Sequence, residues 1–138
     1  MSSRFFFNRS KYSRLIDSDR KKVNRLNLLE FIHHGIRFVF PQQPGRLVRG
    51  IPTAHSAPPL NQEIQSEEAF VWPYHQGTVR GQAIIPLYKS VPEAALRDEK
   101  LYELLALVDA IRVGKTREKE LAMQFLKERI SYAQEPTY

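Results

Sequence analysis

Cysteine is absent from the 138 residues, which excludes thiolate zinc sites, redox pairs and thiol nucleophiles. The same absence is consistent with the cytoplasm. Long apolar runs are missing as well. No stretch approaches the ~20 consecutive apolar residues needed to cross a bilayer. Phe5, Phe6 and Phe7 are followed at once by Asn8, Arg9 and Lys11, so no signal-peptide apolar region develops. None of Gly45, Gly50, Gly77 and Gly81 is followed by Lys-Ser or Lys-Thr, so none of them closes a phosphate loop. What is present is ordinary: 42% apolar and 26% charged residues in a chain of single-domain length. That composition supports one modest core and excludes a wholly disordered chain, a collagen-like repeat and a disulfide scaffold. The reading is a soluble cytoplasmic protein.

Carboxylates are scarce at one end of the chain. The formal net charge of +6 comes from 21 Lys and Arg against 15 Asp and Glu. Residues 1–25 hold eight of those cations, Arg4, Arg9, Lys11, Arg14, Arg20, Lys21, Lys22 and Arg25, against Asp17 and Asp19 alone. Everything after residue 25 balances. With Phe5, Phe6, Phe7 and Tyr12 interleaved, the segment suits contact with phosphates through charge and stacking of bases on rings. The plainer reading is a solvated basic hairpin with its aromatics turned into the core.

Three blocks follow from the pattern of breakers and apolar positions. In the first, the apolar pair Leu15-Ile16, the polar cluster Asp17-Ser18-Asp19 and the basic run returning to Val23 suit a small β-hairpin with a charged tip. Asn24 then caps a helix whose Leu28, Leu29, Ile32, Ile36 and Val39 recur at helical spacing. Leu26, Phe31, Phe38 and Phe40 widen that stripe, which predicts a substantially buried helix ended by Pro41. The second block, 41–92, holds most of the prolines and glycines, which forbids long helices. Pro58-Pro59 reads as an extended stretch. Phe70-Val71-Trp72, a turn at Tyr74 to Gly77 and Thr78-Val79-Arg80 read as strand, turn, strand, with Gly77 at positive φ. In the third, a helix starting near Asp98 places Leu101, Leu104, Leu105, Val108 and Ile111 on one face, with Gly114 as a left-handed stop. Thr116 caps a second helix, lined by Leu121, Ala122, Phe125, Leu126 and Ile130, and the pair makes an α-hairpin. The expected fold is α+β and mainly helical. It has a basic wing-like hairpin over 1–25 and a single neutral body over 26–138: a buried helix over 25–40, an irregular wrapping segment over 41–92 and an α-hairpin over 97–132.

Several stretches carry a family resemblance: Val23 to Phe31, Phe38 to Pro41, Arg49-Gly50-Ile51-Pro52-Thr53-Ala54-His55-Ser56-Ala57-Pro58-Pro59-Leu60, Val71-Trp72-Pro73, Pro86 to Pro92, and Leu101 to Gly114. Together they resemble bacterial and phage winged helix-turn-helix, MarR-like transcriptional regulators over nearly the whole chain. The resemblance implies that Phe5 to Ser13 is the tail of a recognition helix and Leu15 to Val23 the wing. It also implies further helices ahead of Met1, so the chain begins inside the DNA-gripping unit, as a fragment, as a split form, or completed by a protein partner. Major-groove reading needs a supported helix that presents its N-terminal residues to base edges.

Histidine is the other candidate for chemistry. His33 and His34 diverge by ~100° on a helix, and no set of three or four convergent ligands is visible, so no metal is expected. His55 stands between Thr53 and Ser56 and can serve as base to a hydroxyl if the fold brings Glu63 or Asp109 to it. The structural alternative, which the residues favour, is that Thr53, His55 and Ser56 satisfy backbone groups in a buried loop. Arg49, Thr53, His55 and Ser56 are therefore candidates for a ligand site or a structural motif. Arg46, Arg49, Arg80 and Lys89 either form an anion pocket or pair with acidic residues of the C-terminal helices.

The leading expectation is a DNA-binding transcriptional regulator, or the C-terminal portion of one. It contacts double-stranded DNA through Arg4, Arg9, Lys11, Arg14, Arg20, Lys21, Lys22 and Arg25, uses no cofactor, and dimerises through the C-terminal α-hairpin. The alternative is a protein-interaction module, antitoxin-like or a phage accessory protein, docking on an acidic partner. An enzyme built on His55 comes third.

Overall fold

A computed structural model describes residues 17–133, with side chains from Asn24 to Ile130. The order of elements is α1 (Asp17–His34), α2 (Ile36–Val39), β1 (Leu47–Pro52), short 3-10 turns at Ala54–Ser56 and Leu60–Gln62, β2 (Phe70–Pro73), β3 (Val79–Ala83), α3 (Val91–Arg97), α4 (Glu99–Val113) and α5 (Thr116–Ala133). The fold is mixed α+β and mainly helical. Its centre is α4, in which eight consecutive residues, Leu105 to Arg112, are buried. A helix buried on every side needs partners on every side. One side of α4 meets α5 and the end of α1, burying Leu107, Ile111, Ala122, Met123, Leu126 and Ile32 together. The other meets α3 and the sheet, where Ile51, Trp72, Val91, Ala95 and Leu105 form a second cluster. Asp98 starts α4, as its position implied: its Oδ1 accepts from the backbone N–H of Lys100 and Leu101 at 3.0 and 3.2 Å.

The Pro/Gly-rich block is ordered and folds into a closed three-stranded barrel. β1 is antiparallel to both neighbours, pairing Ile51 with Trp72 on one side and Val48 with Gly81 on the other. β2 and β3 lie parallel. The expected strand, turn, strand over 70–80 is therefore not an antiparallel hairpin. The chain between β2 and β3 passes over Gly50, so that β3 continues along β1 instead of returning along β2. Only glycine allows that crossing. A Cβ on Gly50 would lie 2.0 Å from the carbonyl oxygen of Trp72, and one on Gly77 would lie 2.3 Å from that of Gly50. Close approach, and not positive φ, is what Gly77 supplies, since no described glycine has positive φ. Gly114 likewise ends α4 at φ −79° in extended backbone. Pro58-Pro59 is a cis turn in place of the expected extended stretch.

Two other expectations are corrected. Asp17 to Val23 forms the first turns of α1, so the hairpin expected over Leu15 to Val23 is not formed there; Leu15 and Ile16 lie outside the described residues. The polar cluster Asp17-Ser18-Asp19, read as the tip of a turn, is instead the described start of an 18-residue helix. The helix is also not substantially buried. Ile32 and Ile36 are in the core, but Leu26, Leu28, Phe31, Phe38, Val39 and Phe40 are exposed, Phe38 by 78%. Gly35 divides α1 from α2 and turns the apolar stripe, leaving only its narrow middle against α4 and α5. The helix wrapped by the rest of the chain is α4. A further helix, α3, occupies chain expected to be irregular up to residue 92, with Pro92 in its first turn.

Candidate functional site

The described part of the cationic segment is carried by α1. Arg20, Lys21, Lys22 and Arg25 fall within its first nine residues; Arg4, Arg9, Lys11 and Arg14 lie outside the described residues. Asn24, Leu26, Asn27 and Leu28, the first residues of α1 whose side chains are described apart from Arg25, are exposed. Arg25 is half-buried, and its Nε is shielded without a hydrogen-bond partner among the described residues.

The Arg49 to Leu60 motif separates into an outer and an inner set. Arg49 is exposed on β1, whereas Thr53, His55 and Ser56 turn inward. Ser56 Oγ accepts from the Phe70 N–H at 2.9 Å, and His55 Nε2 lies 2.8 Å from the Glu68 carbonyl oxygen, so both tie the loop to the approach of β2. With Nε2 donating, Nδ1 of His55 is left as an acceptor, and it is shielded with no partner among the described residues. Neither Glu63 nor Asp109 hydrogen-bonds the ring, and neither hydroxyl reaches it. His55 borders a cleft of about 370 Å³ with Ser56, Asn61, Gln65 and Ser66.

Thr53 belongs to a different cluster. Its hydroxyl donates to Asp109 Oδ2 at 2.7 Å, and the Trp72 indole N–H donates to the same oxygen at 2.6 Å. Oδ1 accepts from Arg112 Nη1 at 2.9 Å. Arg112 also donates to the carbonyl oxygens of Phe40 at 3.0 Å and Ile85 at 2.8 Å. The carboxylate and guanidinium are 1% and 3% exposed. Such a pair persists because each charge is answered by hydrogen bonds as well as by its partner. Burial pushes the Asp109 carboxyl up to about 6, while Arg112 and the hydroxyl and indole donors pull the other way. The cluster joins α4 to β2, to the turn after β1, to the end of α2 and to the chain after β3. Sequence reading had placed Asp109 only as a partner for His55 and had missed Trp72 and Arg112. The available signal was a charged pair at i, i+3 inside an otherwise apolar helical stretch.

The remaining candidates are dispersed. The rings of His33 and His34 lie 4.0 Å apart, closer than their helical divergence implies, and His34 pairs with Glu30 at 3.6 Å. Among the described residues, no three His, Asp or Glu side chains are placed to hold a metal. Gly114-Lys115 leads into α5, whose first residue is Thr116, but a helix and not a strand comes before it, and Glu118 Oε1 already accepts from the Lys115 N–H at 3.0 Å. The apolar face of the α4–α5 hairpin is spent on the chain's own core. No helix is long and apolar enough to cross a membrane among the described residues. No protein-family model matches the chain, and no curated protein or solved structure does either.

Proposed function

We propose that the chain is a DNA-binding transcriptional regulator, or the C-terminal portion of one. It acts in the cytoplasm and contacts the phosphates of double-stranded DNA through its N-terminal cations. The observation that carries this reading is the segregation of charge: eight cations face two carboxylates in residues 1–25, while the rest of the chain is neutral. Arg20, Lys21, Lys22 and Arg25 fall within the first nine residues of one helix, which keeps these four cations within three turns of one another. The resemblance to winged helix-turn-helix regulators supports the class. The basic element presented to DNA is then α1 in place of a wing, and the contacts are Arg20, Lys21, Lys22 and Arg25 together with Arg4, Arg9, Lys11 and Arg14. Six phosphate contacts would make affinity fall on the order of a thousandfold between 50 and 200 mM salt. The test is duplex affinity against salt for the intact chain and for Arg20→Gln, Lys21→Gln, Lys22→Gln, Arg25→Gln combined. A shallower salt slope and weaker binding are expected; equal curves would remove α1 from the contact, and an intact chain that binds no duplex would sink the reading.

A protein-interaction module docking on an acidic partner is favoured by the exposure of Phe38, Val39 and Phe40, which follow the end of α1 opposite its cations. Under that reading a complex survives nuclease treatment and is lost in Phe38→Ser; a complex that nuclease destroys counts against it.

A further inference from the structure

The register of the barrel sets two cations face to face. Arg49 on β1 is directly opposite Arg80 on β3, and both are exposed. Their chain neighbours Gly50 and Gly81 are buried, so by the alternation of strand faces both arginines stand on the outside of the barrel. The Ala83 N–H donates to the Arg46 carbonyl oxygen across β1 and β3, while the Arg49 carbonyl oxygen accepts from the Tyr74 N–H on the other side, toward β2. Alternation then makes 49 and 80 a non-hydrogen-bonded pair, the kind whose side chains come closest, with Cα atoms ~4.5 Å apart. Leu47 and Gln82, the next pair along the same face, are uncharged. None of the ion pairs among the described residues involves Arg49 or Arg80.

Like charges directly opposite in a sheet work against folding. Among the described residues, no carboxylate lies within ion-pair distance of either arginine. Two guanidinium forks on one face present ten N–H donors in planar geometry, which matches phosphate oxygens. Neither arginine borders the His55 cleft. An exposed pair outside a cavity holds a single small ion weakly. A polyanion brings one phosphate after another to the same place, and releases counterions as it does so.

We propose that Arg49 and Arg80 form a phosphate clamp on the outer face of the barrel that grips a nucleic-acid backbone, a second contact separate from α1. The proposal rests on the DNA-binding reading but concerns residues outside the basic segment. The experiment measures duplex affinity against salt for three intact chains: the unaltered protein, Arg49→Gln with Arg80→Gln, and the four-fold α1 variant described above. Loss of two phosphate contacts should lower the slope of log affinity against log salt by about 1.8, and weaken binding at 0.15 M salt on the order of thirtyfold. Lys at both positions should restore most of the slope. The Gln pair should melt no lower than the unaltered protein, since a repulsion is relieved; a lower midpoint with lost binding would assign the pair to folding and overturn the clamp. An unchanged slope in the Gln pair, with the α1 variant weakened, overturns the clamp and leaves the DNA-binding reading standing. A weakened Gln pair with an unchanged α1 variant supports the clamp and overturns the role of α1. If the unaltered chain binds no duplex, both fall. Inorganic phosphate is the remaining probe: if it saturates the Arg49 and Arg80 Nε–H resonances as tightly as duplex does, the site is one for small anions and the polymer is overturned as its ligand.

Discussion

Replacing Arg112 by Met removes the guanidinium while keeping most of its volume, and its cost should depend on pH in a defined way. Three hydrogen bonds disappear, to Asp109 Oδ1 and to the carbonyl oxygens of Phe40 and Ile85. Phe40 and Ile85 are 43% and 62% exposed, so water can take up much of what their carbonyls lose. Asp109 is 1% exposed and has no such recourse. Stranding one member of a buried pair costs about 3–5 kcal/mol, a fifth or more of a typical domain's stability of about 5–15 kcal/mol. Asp109 can, however, escape the penalty by taking a proton. Its folded pKa of about 6 already lies above the ordinary value of 3.8, and removing Arg112 removes its largest lowering influence and raises it further. In the unaltered protein the group's contribution to stability is therefore greatest below about pH 4, declines as pH rises through 6 and is level above it. The variant goes on declining above pH 6, by about 1.4 kcal/mol per unit until its own higher pKa is passed. Urea denaturation followed through Trp72, the single tryptophan and itself a donor to Asp109, reads this directly. The gap between the two proteins should be small at pH 5 and large at pH 8. A gap of the same size at both pH values would refute the reasoning, as would a gap under about 1 kcal/mol at pH 8.

Thr53→Val keeps the shape and removes one donor to the same carboxylate, at about 1–3 kcal/mol by chemical denaturation; Thr53→Ser should recover most of it. Gly50→Ala and Gly77→Ala should each abolish the native melting transition or lower it severely, because the added methyl meets backbone at 2.0 and 2.3 Å, whereas Gly45→Ala, whose nearest neighbour is at 3.6 Å, should be nearly neutral. A native-like midpoint for Gly50→Ala would contradict the barrel. Tyr102 donates to the Pro52 carbonyl oxygen at 2.6 Å and its hydroxyl is pushed up to about 12 by burial, so absorbance titration should show a tyrosine step near that pH. Tyr102→Phe should remove that late step and cost about 1 kcal/mol.

Local signals were good guides where local chemistry decides the outcome. Asp98 caps α4 because an aspartate ahead of an apolar-periodic run has two free amides within reach, and the helical hairpin follows from spacing alone. The same periodicity misled at α1. Leu26, Phe31 and Phe38 widen an apolar stripe on paper, but spacing says which residues share a face and nothing about how much of that face another element will cover. In the candidate site, Ser56 and His55 bond to the backbone of Phe70 and Glu68, thirteen or fourteen positions along the chain. Thr53 does not, because the carboxylate it serves lies 56 positions away on a helix that only the fold brings near. Arg49 and Arg80 read as scattered cations until strand register places them side by side.

By itself the sequence determined the class and the charge map: an α+β chain with a basic N-terminal segment, a neutral body and a helical C-terminus. Those properties are sums over neighbours in the chain, so they survive without three-dimensional knowledge. The tertiary structure alone decided that the Pro/Gly-rich block closes into a barrel, that α4 and not α1 is the enclosed helix, and that Asp109 and Arg112 form the central polar cluster. Each of these depends on contacts between residues tens of positions apart. Their energies come from desolvation and close backbone approach, and neither is written in any short stretch of chain.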